Sequence, residues 1–237
     1  MRRSIPILLA VLSLALPACK AKPKPLALPS ALQSAYGFLA EGDYSKALEA
    51  VEPLTQESPA PPGAVEAQSL KAYLLAYGKN QPRQARDAAR IVVSMFGAHP
   101  LAPPAQQLIA DTFYWQGNLK KAIEEYKRLA DLYGDKGCGA YAYYQIGNCL
   151  YLQQKPGDAL ASYRDAAEKF PGDPLAGSSQ LRVGEVYAKV ENPEQAKSEF
   201  LKAAKAPMDP EVQAIAQAEL QSLEPIHRPR RAATPQP

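Results

Sequence analysis

The chain of 237 residues has only two histidines and three cysteines with which to do chemistry. His99 stands in a Gly-Ala-His-Pro turn and His227 in a proline-rich end, so neither has a base or nucleophile beside it. No glycine-rich phosphate loop, Ser–His–Asp arrangement or zinc-spaced cluster occurs. The residues therefore predict no catalysis, no metal site, no cofactor and no small-molecule substrate. Cys138 and Cys149 are eleven positions apart. If Cys138 precedes a helix that carries Cys149, the two lie about 16 Å apart along its axis, beyond disulfide reach. Cys149 is expected to be a small buried residue, while Cys138, between Gly137 and Gly139, is open to oxidation or to pairing with another chain. The chemistry that composition does favour is recognition. Thirteen tyrosines stand against five phenylalanines and one tryptophan. A tyrosine offers a large contact area, two χ angles to freeze and a hydroxyl to pair with polar groups.

Cys19, the third cysteine, has a different setting. Met1-Arg2-Arg3 is a positive start, and Ile5 to Leu16 is an apolar run too short to span a bilayer. It ends in Leu16-Pro17-Ala18-Cys19, which resembles the bacterial lipobox, in which the cysteine is acylated and becomes the new N-terminus. The expectation is a signal peptide over 1–18 and a lipid on Cys19, strong enough to anchor the chain to a membrane. The alternative is an ordinary secretory signal with an incidental cysteine. Lys20 after the cysteine, rather than aspartate, points to the periplasmic face of the outer membrane ahead of the inner membrane. Losing Arg2 and Arg3 leaves 25 basic residues against 24 acidic ones.

A formal charge of +3 with 46% hydrophobic and 22% charged residues excludes a strongly basic nucleic-acid binder and an acidic disordered chain. Proline, at 23 residues, is abundant. Residues 19–29 (Cys19 and KAKPKPLALP) read as an extended tether, and 225–237 (PIHRPRRAATPQP) as a disordered basic tail.

Between these ends the sequence repeats. Ala47, Ala85, Ala122, Ala159 and Ala196 are separated by 38, 37, 37 and 37 residues. Four positions on stand Val51, Ala89, Tyr126, Tyr163 and Phe200; seven on stand Leu54, Val92, Leu129, Ala166 and Ala203. Eleven on from the middle three come Phe96, Tyr133 and Phe170. Each unit reads as two helices. In the fourth, Tyr143, Ile146, Gly147 and Leu150 form one buried stripe, Lys155-Pro156-Gly157-Asp158 breaks the helix, and Ala159, Tyr163 and Ala166 form the next stripe. In the fifth, Val183, Gly184 and Tyr187 precede Ala196, Phe200 and Ala203. One such hairpin cannot bury its apolar face alone, so the units must stack. Asp209-Pro210-Glu211 starts a last helix, with Val212, Ile215, Ala216, Leu220 and Leu223 on one side, as a cap over 208–224.

These columns resemble the tetratricopeptide repeat family over roughly 30–207. The matching residues are a small one twelve before the alanine (Ala35, Ala110, Gly147, Gly184), the turns Gly42-Asp43 and Gly117-Asn118, the alanine, the aromatic four on, and the closing Pro59 and Pro171. The second unit departs, with Tyr73 at the small position and Ala89 at the aromatic one. The longer period and the aromatic–Pro–x–x–Pro turn are similar to the repeats of the Tol–Pal-associated periplasmic proteins and of the BamD-like lipoproteins of β-barrel assembly. The resemblance implies an all-α, right-handed superhelical solenoid of about five hairpins with a C-terminal capping helix. It also implies that the first helix of each hairpin lines a concave groove.

By phase, that groove takes Tyr36 and Leu39, Leu74 and Tyr77, Gln107, Asp111, Tyr114 and Trp115, Tyr141, Tyr144, Asn148 and Tyr151, and Leu181, Glu185 and Lys189. The partner-binding candidates among them are Tyr36, Tyr77, Asp111, Tyr114, Trp115, Tyr141, Tyr144, Asn148, Tyr151, Glu185 and Lys189. Asn148 offers a two-sided amide for a peptide backbone. The same tyrosines would serve equally to fill gaps between helices. The groove lacks the clustered lysines and arginines that clamp C-terminal carboxylates, so an internal peptide segment or a helix of another envelope protein is the expected ligand. The function implied is a non-enzymatic, lipid-anchored scaffold in outer-membrane assembly or envelope constriction. A pilotin-like targeting factor for a secretin or pilus, or a regulator of a peptidoglycan enzyme, are the alternatives.

Overall fold

The computed structural model describes residues 29–56, 61–205 and 209–223. The signal peptide, Cys19, nearly all of the tether, Pro59 and the basic tail lie outside the described residues. The described chain holds eleven α-helices: α1 Ser30–Ala40, α2 Tyr44–Gln56, α3 Ala64–Tyr73, α4 Pro82–Met95, α5 Ala102–Trp115, α6 Leu119–Tyr133, α7 Gly139–Leu152, α8 Pro156–Lys169, α9 Leu175–Lys189, α10 Pro193–Ala203 and α11 Pro210–Leu223. A π-helical turn, Leu74–Gly78, extends α3. The chain divides into two compact units between Thr112 and Phe113. In the first, α1 to α4 pack in succession; in the second, α6 to α11 do, with α7 also touching α9. This is the all-α hairpin repeat expected from the periodicity.

The repeat columns are the core. Ala47, Ala85, Ala122, Ala159 and Ala196 are all 0% exposed, and the positions four on are buried in every unit. The reason for small residues twelve before the alanine is visible at Gly147 and Gly184. A Cβ on Gly147 would sit 2.5 Å from the Tyr163 ring, and one on Gly184 would sit 2.5 Å from the equivalent ring one repeat on, Phe200. The aromatic of the second helix thus lies directly on the backbone of the first. At Gly147 and Gly184 a larger residue would hold the two helices apart.

The second repeat corrects the sequence reading. Its alanine follows the previous one by 38 residues instead of 37, and the π turn at Leu74–Gly78 is where the added residue sits. Upstream of that turn the phase moves by one, so the buried small residue is Ala72, 1% exposed, rather than Tyr73. The turn that follows shows the same offset. In the other hairpins the N–H after the turn reaches back five residues (Asp43 to Phe38, Asn118 to Phe113, Lys155 to Leu150, Asn192 to Tyr187). In the second it reaches six, from Gln81 to Leu75 at 2.7 Å.

Those turns share a residue in the left-handed region: Gly42, Asn80, Gly117, Gln154 and Glu191, with φ between 53° and 79°. Glycine marks only two of the five, so composition alone shows the turn at Gly42 and Gly117 and hides it elsewhere. The next helix is then started by Asp43, Asn118 or Asn192, each accepting an N–H three residues on, or by proline at its first turn, as Pro82, Pro156 and Pro193 are. Pro156 therefore opens α8; it does not merely break α7. At the C-terminal end, Asp209 Oδ1 accepts from the N–H groups of Glu211 and Val212 at 3.0 and 3.1 Å. Val212 and Ala216 are buried on α10, with Leu220 and Leu223 packed beside them. Ile215, expected on that side, is 40% exposed and faces away.

Two outcomes follow from this geometry. Gly147→Leu drives a side chain into the Tyr163 ring and is expected to cost about 1–3 kcal/mol or more, read as a fall of several degrees in the thermal midpoint by circular dichroism. An unchanged midpoint would show that α7 and α8 do not cross there. Gln154→Gly and Glu191→Gly relieve left-handed strain and should each stabilise by roughly 0.5–1 kcal/mol. The same change at Gln153, whose φ is −78°, should destabilise; equal signs at all three positions would contradict the turn assignment.

Candidate functional site

The second unit contains a cleft of about 210 Å³ lined by Tyr114, Asn148, Tyr151, Leu152, Tyr163, Arg182, Glu185 and Val186. Tyr114 comes from the last turn of α5, Asn148 to Leu152 from α7, Tyr163 from α8, and Arg182 to Val186 from α9. The same close crossing that buries Tyr163 to 2% exposure brings its hydroxyl to the cleft wall, where it donates to Asn148 Oδ1 at 2.7 Å. Asn148 Nδ2 donates in turn to Gln145 Oε1 at 2.9 Å. The amide is held at both ends, which leaves it one N–H and one lone pair for a ligand.

Arg182 crosses the other wall. Its Nε donates to the Tyr144 hydroxyl at 3.2 Å, and its Nη1 pairs with Glu185 Oε2 at 2.7 Å. Burial opposes the charge on Arg182, but Tyr144 and Glu185 outweigh it and hold the guanidinium protonated. The Tyr144 ring is 5.7 Å from that of Tyr163, and Lys189 Nζ lies 4.9 Å from the centroid of Tyr151. Burial pushes the Tyr163 hydroxyl well above the usual phenol range, against the pull of Arg182, and raises Tyr114 as well. The hydroxyls of Tyr163 and Tyr114 are therefore neutral hydrogen-bonding groups at ordinary pH.

Of the candidates in this unit, Tyr114, Asn148, Tyr151 and Glu185 line the cleft. Tyr144 and Lys189 do not line it but contact residues that do, Tyr144 through Arg182 and Tyr163 and Lys189 through Tyr151. Tyr141 stands edge-on to buried Tyr126 at 6.1 Å and belongs to the packing. Trp115 is 51% exposed at the end of α5 and is not a lining residue. In the first unit Tyr36 packs on the core of α1 to α3. Tyr77 leans on Tyr73 at 4.5 Å, and burial first, the Asp111 carboxylate second, push its hydroxyl up to about 12. Asp111 is itself buried and accepts from Gln107 Nε2 at 3.4 Å, so it does not present a free carboxylate. Leu39, Leu74 and Leu181, expected to face inward, are core residues exposed by 6% or less. A large aliphatic side chain on that phase is taken by the neighbouring helix.

Arg182 was not among the candidates. It lies three and seven residues before Glu185 and Lys189, so helical spacing does place it with them; Leu181 one position earlier drew the phase away. Tyr163 was assigned wholly to the core, although its hydroxyl reaches the cleft. Cys149 is buried as expected, and both described cysteines are free thiols. Cys138 is half-buried, and burial, then Asp173, push its thiol up, which works against the oxidation or cross-chain pairing that its flanking glycines suggested. Among the described residues no group of three or more His, Cys, Asp or Glu could hold a metal ion, and no helix is long and apolar enough to cross a membrane.

Helical hairpins with this crossing and these turns define a helical-repeat protein of the tetratricopeptide type. The chain belongs to the tetratricopeptide repeat-like domain family, whose model matches residues 63–225. Solved structures agree on the fold. MamA is similar at 16% identity with a TM-score of 0.58, over 79% of this chain and 96% of its own. RapI in its apo form is similar at 16% identity with a TM-score of 0.69, over 81% of this chain and 58% of its own. YrrB, described as a TPR protein with an unusual peptide-binding site, is similar at 17% identity with a TM-score of 0.53, over 79% of this chain and 90% of its own. No curated protein sequence matches. The fold is that of a protein-binding scaffold.

The Tyr163–Asn148 bond gives a direct test of the cleft wall. Asn148→Ala strands a buried hydroxyl and should cost about 1–3 kcal/mol. In a Tyr163→Phe background the same change should cost distinctly less. Additive losses in thermal or urea unfolding would mean the bond is not made.

Proposed function

We propose that this protein is a non-enzymatic, lipid-anchored adaptor on the periplasmic face of a bacterial outer membrane. In this reading it captures a segment of another envelope protein in the tyrosine-lined cleft of its second unit, in outer-membrane assembly or envelope constriction. The observation that carries the binding role is the cleft itself. Three tyrosines, an asparagine and an arginine from four helices converge on one concavity, the composition of a recognition surface. The peptide-binding site described for YrrB supports the same use of the fold. The anchor rests on the lipobox at Leu16-Pro17-Ala18-Cys19. A tether that keeps the domain near its partners raises their effective concentration, so a modest intrinsic affinity suffices.

Photocrosslinking in cells from position 151, with mass spectrometry of the adduct, tests both halves. A discrete envelope protein should be captured from position 151 and not from Lys127, which is exposed on α6. Capture should weaken when Tyr144 is changed to Ala. Adducts from Lys127 alone would place binding elsewhere. Cys19→Ser should abolish acyl labelling and membrane retention, and their persistence would overturn the anchor.

A further inference from the structure

Beyond Leu223 the sequence continues as EPIHRPRRAATPQP over 224–237, and the packing of α11 fixes where that stretch sets out. Helices α9, α10 and α11 pack in succession, and α9 also touches α11. Leu220 and Leu223, at the end of α11, pack against the same core cluster as Tyr187 and Ala188 in the last turn of α9. The chain therefore leaves α11 beside the end of α9, the helix that gives the cleft Arg182, Glu185 and Val186. Tyr187 also packs against the neighbouring cluster that holds Tyr163 and Val186 of the cleft lining, so one side chain links the end of α11 to the cleft. Adjacent helices lie about 8–10 Å apart. Residues 224–237 can span about 45 Å when extended, more than the two helix spacings that separate α11 from the α7 side of the cleft.

Charge is ordered along that route. The turn between α9 and α10 comes first, and there Glu191 and Glu194 are exposed. Neither carboxylate has a hydrogen bond or an ion pair among the described residues. The cleft comes next, where the wall already carries the Arg182 guanidinium, and Lys189 Nζ lies over Tyr151. The stretch has the matching order: Arg228, Arg230 and Arg231, then uncharged side chains over 232–237. Resting on the peptide-capture reading above, we propose that residues 224–237 of this same chain occupy the cleft, with the three arginines against Glu191 and Glu194 and residues 232–237 against Tyr151 and Tyr114. The contact keeps the cleft closed until a partner segment displaces it. Because the stretch is joined to α11, its effective concentration at the cleft is on the order of millimolar, so weak contacts suffice.

The test is photocrosslinking within the purified full chain, dilute in detergent, with benzoylphenylalanine in place of Tyr151 or, separately, of Tyr114. Mass spectrometry should map an intrachain adduct to residues 224–237 from at least one of these positions and none from Lys127. Changing Arg228, Arg230 and Arg231 together to Glu should lower its yield about fivefold or more with an unchanged thermal midpoint, and salt at about 1 M should do the same to the unaltered chain. Adding Glu191→Arg and Glu194→Arg to the arginine variant should restore it. Adducts that map elsewhere in the chain, that join two chains, or that fail to form from both positions overturn the inference, as does a 224–237 adduct indifferent to both charge reversal and salt. In cells, the arginine variant should capture its envelope partner from position 151 about threefold more, because the competent state is no longer occupied. An intrachain adduct with no partner captured by either chain would sink the peptide-capture reading and leave the self-contact standing. A captured partner with no intrachain adduct would do the reverse.

Discussion

An aromatic ring resting on a stretch of helix backbone that carries no side chain is the contact on which the downstream hairpins turn. Tyr163 lies on Gly147 and Phe200 on Gly184. This contact sets the separation of the two helices in each pair, and the separation decides which residues are left to face outward. The alanines of the second helices are fully buried because the helices come this close. The tyrosine hydroxyl of one such contact continues past the core and ends on Asn148. A packing residue in its ring is thus a site residue at its tip, and the core cannot be altered at Tyr163 without moving the wall of the cleft.

The polar side of the cleft follows a similar economy. Arg182 is fixed by Tyr144 and Glu185 through two of its nitrogens, so this residue of the cleft lining is held in place by the protein itself. Preorganisation of this kind lowers the cost of binding. It also means that the charge the cleft shows to a ligand is small, because the one cation comes with its own anion.

Much of the fold was legible in the sequence because the repeat is carried by small and aromatic residues at fixed spacing, and these are the residues that steric exclusion at the crossing demands. Ala47 through Ala196, Gly147 with Tyr163 and Gly184 with Phe200 all occupy the expected places. What the sequence hid has identifiable causes. The turn at Gln154 and Glu191 takes a left-handed residue without glycine, because the capping hydrogen bonds tolerate the strain. Ala72 rather than Tyr73 fills the small position, because a π turn leaves no signature in residue type. For the site, Tyr114, Asn148, Tyr151 and Glu185 were readable by phase, whereas Leu39, Leu74 and Leu181 share that phase and are drawn into the core. Arg182 was hidden behind its apolar neighbour.

The π turn at Leu74–Gly78 bears on how far the repeats are interchangeable. Units with a common length behave as cassettes that recombination or an engineer can duplicate, delete or graft in any order. Here the boundary between α3 and α4 carries an offset of one residue, and one residue of an α-helix is a rotation of about 100°. A block transplanted across that boundary at a uniform 37-residue period would present the wrong face of its first helix to its neighbour. The first hairpin and α3 therefore form one reading frame and the hairpins from α5 onward another, and only the latter can be lengthened by simple duplication.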